Sequence, residues 1–123
     1  MIMILVIDDE PAIASAIKTV LELSGMAAVV AGSCDEALAI INRTPPELIF
    51  SDINMPDRSG LDLLHTLKAN PATAHIPLVF ITGEARNQDV NRGLAAGAAG
   101  YLKKPFSPPE LLNTVRALVH RAG

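Results

Sequence analysis

The stretch LIFSDINMPDRSG (residues 48–60) is an apolar run that ends at an aspartate and continues into a loop of turn-forming residues. The run is short and apolar on both faces, which is typical of a parallel strand buried between layers of helices. A carboxylate at the tip of such a strand is costly unless a cation pairs with it or it takes part in a reaction. Asp52 therefore indicates both a buried strand and a functional site at its end.

Similar apolar runs recur along the whole chain, and amphipathic stretches separate them. The five predicted strands are MILVI (3–7), MAAVV (26–30), ELIFS (47–51), PLVFIT (77–82) and GYLK (100–103). Leucine, isoleucine and valine recur at helical spacing after each of the first three runs and after the last. Five strands that alternate with five helices predict a single α/β domain over residues 1–123, with a doubly wound parallel sheet.

Several residues predict where the helices begin and end. Pro11 suits the first turn of the first helix, and Gly25 stops it. Either Ser33 or Cys34 caps the second helix, and Ser107 caps the last. The stretch 86–100 is a poor helix, because Gly93 and Gly97 are predicted to lie inside it and few large apolar side chains anchor it.

The composition excludes several classes of protein. A length of 123 residues with 50% apolar residues fits one globular domain. A net charge of -3 without a basic cluster argues against nucleic-acid binding by this domain. No apolar run is long enough to span a membrane and the amino terminus does not resemble a signal peptide, so we expect a cytoplasmic domain without membrane contact. The single cysteine, Cys34, excludes an internal disulfide.

Polar residues follow four of the predicted strands, and the carboxyl ends of parallel strands meet at one edge of a sheet. They are Asp8, Asp9 and Glu10 after the first strand, Asp52 after the third, Thr82, Gly83 and Glu84 at the fourth, and Lys103 and Lys104 at the fifth. In doubly wound sheets the functional site lies at this edge, where the strand order reverses. Clustered carboxylates repel one another, and an all-oxygen ligand set suits Mg²⁺, with Asp9 and Asp52 as direct ligands and Asp8 acting through water. A metal, a lysine and a hydroxyl beside a carboxylate predict phosphoryl transfer, with Asp52 as the nucleophile.

Four motifs, in order across nearly the whole chain, carry a resemblance to a known family. They are VIDDE (6–10), SDINMPDRSG (51–60), FITG (80–83) and AAGAAGYLKKPF (95–106). With these motifs the chain resembles the receiver domain of bacterial two-component response regulators. The resemblance implies a flavodoxin-like sheet of strand order 2-1-3-4-5. It departs from the family's usual pattern at Gly83, where alanine is most frequent, and at the extra lysine Lys103, which should point to solvent.

The resemblance also implies a role for each site residue. Asp52 would be the phosphoacceptor, while Asp8, Asp9, Asp52 and the backbone carbonyl of Asn54 would hold Mg²⁺. Thr82 would be the switch hydroxyl, Tyr101 the switch aromatic, and Lys104 the lysine that precedes a proline in a cis peptide bond. Asn54 and Glu84 would tune hydrolysis of the acyl phosphate.

A histidine kinase or a histidine phosphotransfer protein is the implied phosphodonor. The domain would catalyse only its own phosphorylation and dephosphorylation, and so would not be an enzyme in its own right. The output would use the face made by the fourth helix, fifth strand and fifth helix, toward a downstream partner, an output domain or a phosphorylation-dependent homodimer. Residues expected on that face are Arg86, Asp89, Arg92, Lys103, Asn113 and Arg116. A stand-alone regulator and the amino-terminal receiver of a longer regulator both remain open.

Other readings of the same residues compete with this one. A flavodoxin-like electron carrier would need a phosphate-binding loop after the first strand, where Asp8, Asp9 and Glu10 would repel a phosphate. A phosphate-ester hydrolase usually needs a second acid where Asn54 stands. A calcium loop fails because Asp57 replaces its central glycine and Leu63 its closing glutamate. A receiver fold that acts as an unphosphorylated interaction module remains open, although a complete site argues against it. Asp8 and Asp9 could also cap the first helix.

Overall fold

The computed structural model describes residues 2–53, 57, 59–83 and 87–119, with the backbone alone for 87–90. The strands are β1 (Met3–Ile7), β2 (Ala27–Ala31), β3 (Leu48–Asp52), β4 (Leu78–Thr82) and β5 (Gly100–Lys103). The helices are α1 (Pro11–Leu23), α2 (Cys34–Arg43), α3 (Gly60–Ala69), α4 (Asn87–Ala95) and α5 (Pro108–Leu118). The predicted alternation of five strands and five helices is confirmed, although β2, β3 and β4 each begin one residue later than predicted. Within the described ranges, no helix has the length and apolarity needed to cross a bilayer.

The five strands form one parallel sheet in the order β2-β1-β3-β4-β5, which confirms the predicted topology. Strand order reverses between β1 and β3, the two strands from which the chain leaves toward opposite edges. Their register pairs Ile7 with Ser51, so the residue after each lies at the same edge of the sheet. Thr82 pairs with Lys103 at that same edge. The register therefore brings the polar ends of β1, β3, β4 and β5 together.

Two apolar layers cover the sheet because alternate strand residues point to opposite faces. On β1, Ile4 and Val6 belong to the layer covered by α1 and α5, whereas Leu5 and Ile7 belong to the layer covered by α2 and α3. All four side chains are fully buried. This two-sided burial explains why the strands are continuous apolar runs rather than alternating ones.

The helix ends follow the predicted signals. Pro11 is the first residue of α1, and Gly25 adopts a φ of +87° just after that helix ends. The cap of α2 is Ser33 rather than Cys34, because the Ser33 hydroxyl accepts a hydrogen bond from the Glu36 N–H. Ser107 caps α5 in a reciprocal capping box with Glu110.

The prediction that both glycines lie inside the fourth helix is wrong for Gly97. Helix α4 ends at Ala95, and Gly97 follows it with a φ of +106°, a left-handed conformation that glycine adopts without a steric penalty. Gly93 does lie in the helix, where it allows close packing on β4. A Cβ at this position would lie 2.6 Å from Cε2 of Phe80. Gly93 therefore has a packing role that a reading from helix propensity alone does not reveal.

Candidate functional site

Asp8 follows β1 and is buried, with 2% of its surface exposed. One carboxylate oxygen, Oδ2, lies 3.2 Å from Nζ of Lys104. The other, Oδ1, accepts a hydrogen bond of 2.9 Å from the N–H of Glu10. Glu10 is the N-cap residue of α1 and precedes its first turn, so this bond does not support the alternative that Asp8 caps the helix. Both oxygens of Asp8 instead have partners at the carboxyl edge of the sheet.

Asp52 is the last residue of β3 and lies beside the same lysine. Its Oδ2 is 3.5 Å from Lys104 Nζ, and 14% of its side chain is exposed. The carboxylate is thus held against a cation while one side still faces solvent. That combination suits a group that must meet an incoming reactant.

Three carboxylates at this edge fit a divalent cation. Asp8, Asp9 and Asp52 each offer an oxygen, and these oxygens all lie within 4.8 Å of one another. Asp9 is exposed, so the cluster opens to solvent on that side. A set of hard oxygen donors with room for water is the ligand set that Mg²⁺ prefers, and the residues present therefore fit this metal.

Lys104 links the strands of the site through both its side chain and its backbone. Its N–H donates a 2.7 Å hydrogen bond to the carbonyl of Thr82, and its peptide bond to Pro105 is cis, as predicted. Burial disfavours the ammonium charge, but the adjacent carboxylates of Asp52 and Asp8 outweigh it and raise the pKa of Lys104 above its usual value. The lysine is therefore protonated at neutral pH.

Thr82 and Tyr101 occupy neighbouring strands but differ in exposure. Thr82, at the end of β4, is buried, with 7% of its surface exposed. Tyr101, on β5, is 45% exposed. Lys103 is exposed as well, which confirms that this extra lysine points away from the site. Thr82 is thus buried at the carboxyl edge of the sheet, whereas the ring of Tyr101 lies at the surface.

Some predicted residues cannot be placed. Asn54, Glu84 and Arg86 lie outside the described residues, as does the side chain of Asp89. Their predicted roles in metal binding, hydrolysis and output stay predictions.

Two residues near the site were missed by the reasoning from sequence. Gly60 begins α3, and a Cβ there would lie 2.5 Å from the carbonyl oxygen of Asp52. Asp57 was considered only as an obstacle to a calcium loop, yet its carboxylate accepts hydrogen bonds from the N-terminus of α2. The glycine that opens a helix directly after a functional strand could have indicated close packing. Nothing in the sequence pairs Asp57 with α2.

Comparison with known proteins identifies the family pattern over most of the chain. The family model described as the response regulator receiver domain matches residues 4–116. The phosphate regulon transcriptional regulatory protein PhoB of Pseudomonas aeruginosa is 36% identical over 98% of this chain and 52% of its own length. The DNA-binding response regulator MtrA of Mycolicibacterium smegmatis is 36% identical over 96% of this chain and 50% of its own length. The chain therefore spans about half the length of these curated relatives.

Two solved structures match this chain over nearly their full length. The chemotaxis response regulator CheY4 of Vibrio cholerae superposes with a TM-score of 0.90 at 30% identity, over 96% of this chain and 98% of that one. The receiver domain of NtrX from Brucella abortus gives a TM-score of 0.89 at 30% identity, over 97% and 99% of the two chains. Both likenesses extend over nearly the whole of this chain.

Proposed function

Because the chain belongs to the response regulator receiver domain family, we propose that it is a signalling domain that is switched by phosphorylation of Asp52 in the presence of Mg²⁺. The observation that carries this proposal is the position of Lys104 Nζ, 3.2 Å from Asp8 and 3.5 Å from Asp52. A cation held between two carboxylates, one of them partly open to solvent, can receive a third group of negative charge. We further propose that residues 1–123 form one receiver domain.

In the proposed reaction, a carboxylate oxygen of Asp52 attacks the phosphorus of a phosphohistidine on the donor protein. An O–P bond forms, the N–P bond breaks, and its electron pair returns to the imidazole nitrogen of the donor. Asp9 and Asp52 would hold Mg²⁺ directly, Asp8 through water, and Asn54 through its carbonyl. When bound, the metal would neutralise charge on the transferring phosphoryl group. The product is an acyl phosphate on Asp52.

Lys104 prepares the site for that transfer. Its ammonium group offsets the repulsion between the carboxylates before the phosphoryl group arrives, and attracts the phosphoryl oxygens afterwards. Because its pKa is raised, it keeps its charge at neutral pH.

Labelling with a small phosphodonor tests the assignment of Asp52. Incubation with acetyl phosphate and Mg²⁺ should add the mass of one phosphoryl group, and hydroxylamine should remove it. Asp52→Asn and an excess of chelator should each abolish the label. Asp62→Asn is the matched control, because Asp62 is an exposed acid in the first turn of α3. This variant should take up the label at Asp52 as wild type does. Undiminished labelling of Asp52→Asn would exclude the proposed phosphoacceptor.

The phosphoryl group would also change the conformation of the domain. A phosphorylated Asp52 carries extra negative charge and strong acceptor oxygens. We propose that the hydroxyl of Thr82 moves toward those oxygens and that Tyr101, now 45% exposed, turns inward into the space behind it. Phosphorylation biases the two conformers only by the difference in its interaction with them.

The output would emerge on the face formed by α4, β5 and α5. This face has an exposed apolar pair, Leu94 and Tyr101, each 45% exposed. Its described polar residues include Arg92, Lys103 and Arg116, and the Arg116 guanidinium donates to Asn113. Exposed apolar and basic side chains on these three elements fit an output domain, a downstream protein or a second copy of the chain. Amide exchange with and without beryllofluoride should change at 86–106. Changes confined to α1 and α2 would place the output on another face.

A histidine kinase or a histidine phosphotransfer protein is the proposed donor. Beside the site, a cavity of about 580 Å³ lies between α1 and the segment that follows β5. Its lining is mainly apolar, with Ile13, Ala16 and Phe106 among its residues, and it includes Lys104, whose Nζ lies 3.5 Å from Asp52. A donor seated in this groove would have its phosphohistidine next to the acceptor carboxylate.

A substitution in the groove separates donor docking from chemistry. Ala16 is exposed on α1, so Ala16→Arg should obstruct the groove without disturbing the core. We expect normal labelling by acetyl phosphate and slow transfer from a kinase. Kinase transfer as fast as in wild type would show that the groove does not dock the donor, and equal loss with both donors would assign the effect to the site instead of docking.

The lifetime of the acyl phosphate is proposed to depend on Asn54 and Glu84, which flank the site in sequence. Both are polar enough to orient a water molecule, so we expect a short-lived phosphoprotein. Bulky or apolar replacements should lengthen its lifetime. Receiver domains are generally not enzymes, and we propose that this one catalyses only reactions of its own aspartate. A wild-type acyl phosphate that is stable for many hours would contradict this proposal.

A further inference from the structure

The loop that follows Asp52 is attached to a helix that is distant in sequence. Asp57 lies in this loop, and its Oδ1 accepts a 3.1 Å hydrogen bond from the N–H of Cys34. Its Oδ2 accepts a 3.0 Å hydrogen bond from the N–H of Asp35. A single carboxylate thus spans the first two amides of α2.

This contact completes the N-terminus of α2. The first N–H groups of a helix have no partner inside it. Here Asp57 binds those of Cys34 and Asp35, and the Ser33 hydroxyl binds that of Glu36 at 3.2 Å. A carboxylate at this end is also favoured by the helix dipole. The carboxylate of Asp57 therefore satisfies two backbone donors of α2 and, by the same two bonds, attaches the loop to that helix.

Two further contacts hold the same loop at its ends. The N–H of Gly60 donates a 2.6 Å hydrogen bond to the carbonyl of Ile53, which closes the loop at its base. Ser59 caps α3, and its carbonyl lies 3.8 Å from the buried thiol of Cys34. Residues 54–56 lie in sequence between these anchored points. The side chain of Asp57 attaches this loop to the start of α2.

We propose that Asp57 is a positioning residue for the phosphorylation site: its carboxylate anchors the loop after Asp52 to α2, and so sets the affinity for Mg²⁺. The inference rests on the proposed function, because the loop is proposed to supply the Asn54 carbonyl to the metal. Groups that orient metal ligands typically change metal affinity by about 10- to 100-fold when they are removed. We expect a loss near the lower end of that range, because Asp8, Asp9 and Asp52 remain.

The test compares Asp57→Ala with Ser33→Ala. Asp57→Ala removes two hydrogen bonds from the first turn of α2 and Ser33→Ala removes one, but only Asp57→Ala releases the loop. Amide exchange should become faster at Cys34 and Asp35 in Asp57→Ala, and at Glu36 in Ser33→Ala. Titration with Mg²⁺, followed by backbone amide shifts in NMR spectra, should then show about tenfold weaker binding for Asp57→Ala and unchanged binding for Ser33→Ala.

Asp57→Asn provides a graded control that should fold even if the alanine variant does not. Its amide oxygen can retain one of the two hydrogen bonds, so we expect Mg²⁺ affinity between those of wild type and Asp57→Ala. Equal Mg²⁺ affinity in all four proteins would overturn the positioning role. The titration needs no phosphodonor, so a wild type that binds Mg²⁺ but takes no label would defeat the proposed phosphorylation alone. A wild type that binds no Mg²⁺ would overturn both.

Discussion

Replacing Lys104 by methionine should expose the electrostatic cost of the acidic cluster. Methionine keeps much of the length of the side chain but removes the charge that lies 3.2 Å from Asp8 and 3.5 Å from Asp52. At an effective dielectric constant of about 20, each pair contributes roughly 5 kcal/mol of Coulomb attraction. Desolvation of the three groups offsets most of it. Because Asp8 stays buried without its cation, we expect a loss of about 3 kcal/mol in the free energy of unfolding.

Mg²⁺ should reverse much of that loss. A cation at about 100 times its dissociation constant stabilises the folded state by about 2.7 kcal/mol. Urea unfolding of wild type and Lys104→Met, with and without Mg²⁺, measures both effects. Lys103→Met is the matched control, since that lysine is exposed and its replacement should cost less than about 0.5 kcal/mol.

A double variant decides whether repulsion is the cause. In Lys104→Met, the further change Asp8→Asn should recover stability, because it removes one of the carboxylates that the lysine had balanced. Equal destabilisation by Lys103→Met and Lys104→Met would refute the reasoning. So would a metal-free Lys104→Met protein as stable as wild type.

Three further predictions follow from other contacts. Gly60→Ala should lower the free energy of unfolding in urea by about 2 kcal/mol and slow labelling by acetyl phosphate. The reason is that the added Cβ would lie 2.5 Å from the Asp52 carbonyl oxygen and 2.9 Å from a carbon of Phe80. Wild-type stability and labelling in this variant would be inconsistent with that contact. Ser107→Ala should lower the free energy of unfolding by about 1 kcal/mol, because it removes the cap of α5, and should leave labelling unchanged. A labelling defect in this variant would show that the cap contributes to the site. Since the folded-state pKa of Lys104 is raised, its stabilising contribution should be complete below about pH 10.4 and decline as the pH rises through the higher folded-state value. The stability difference between wild type and Lys104→Met should therefore be constant from about pH 7 to 9 and shrink only at more alkaline pH; a difference that vanished near neutral pH would contradict the raised pKa.

The fold and the edge that carries the site could be predicted because both depend on short-range patterns. Apolar runs that end in polar residues identify parallel strands, and parallel strands bring their carboxyl ends together whatever the helices do. That rule places Asp8, Asp52 and both lysines at one edge, the resemblance to the receiver family selects Lys104, and its pairing with the two carboxylates is observed.

Contacts that depend on how closely two elements approach were not predictable in this way. Helix propensity predicts only that Gly93 destabilises its helix, whereas in the structure Gly93 packs directly against the ring of Phe80. Asp57 looks like a turn residue until the start of α2, more than 20 residues earlier in the chain, is found within hydrogen-bond distance. Ser33 and Cys34 were equally plausible caps because both precede the same helical pattern, and only the observed hydrogen bond chooses between them.

The ion pair between Asp8 and Lys104 joins residues 96 positions apart, which directly follow β1 and β5. Contacts of such long sequence separation form late in folding, because the loop that they close is entropically expensive. Until β5 docks on β4, the carboxylates of β1 and β3 face one another without their cation. Repulsion between these carboxylates therefore destabilises partly folded forms in which β5 has not yet docked. The acidic cluster thus favours all-or-none folding of the sheet, because docking of β5 brings in the lysine that neutralises the carboxylates.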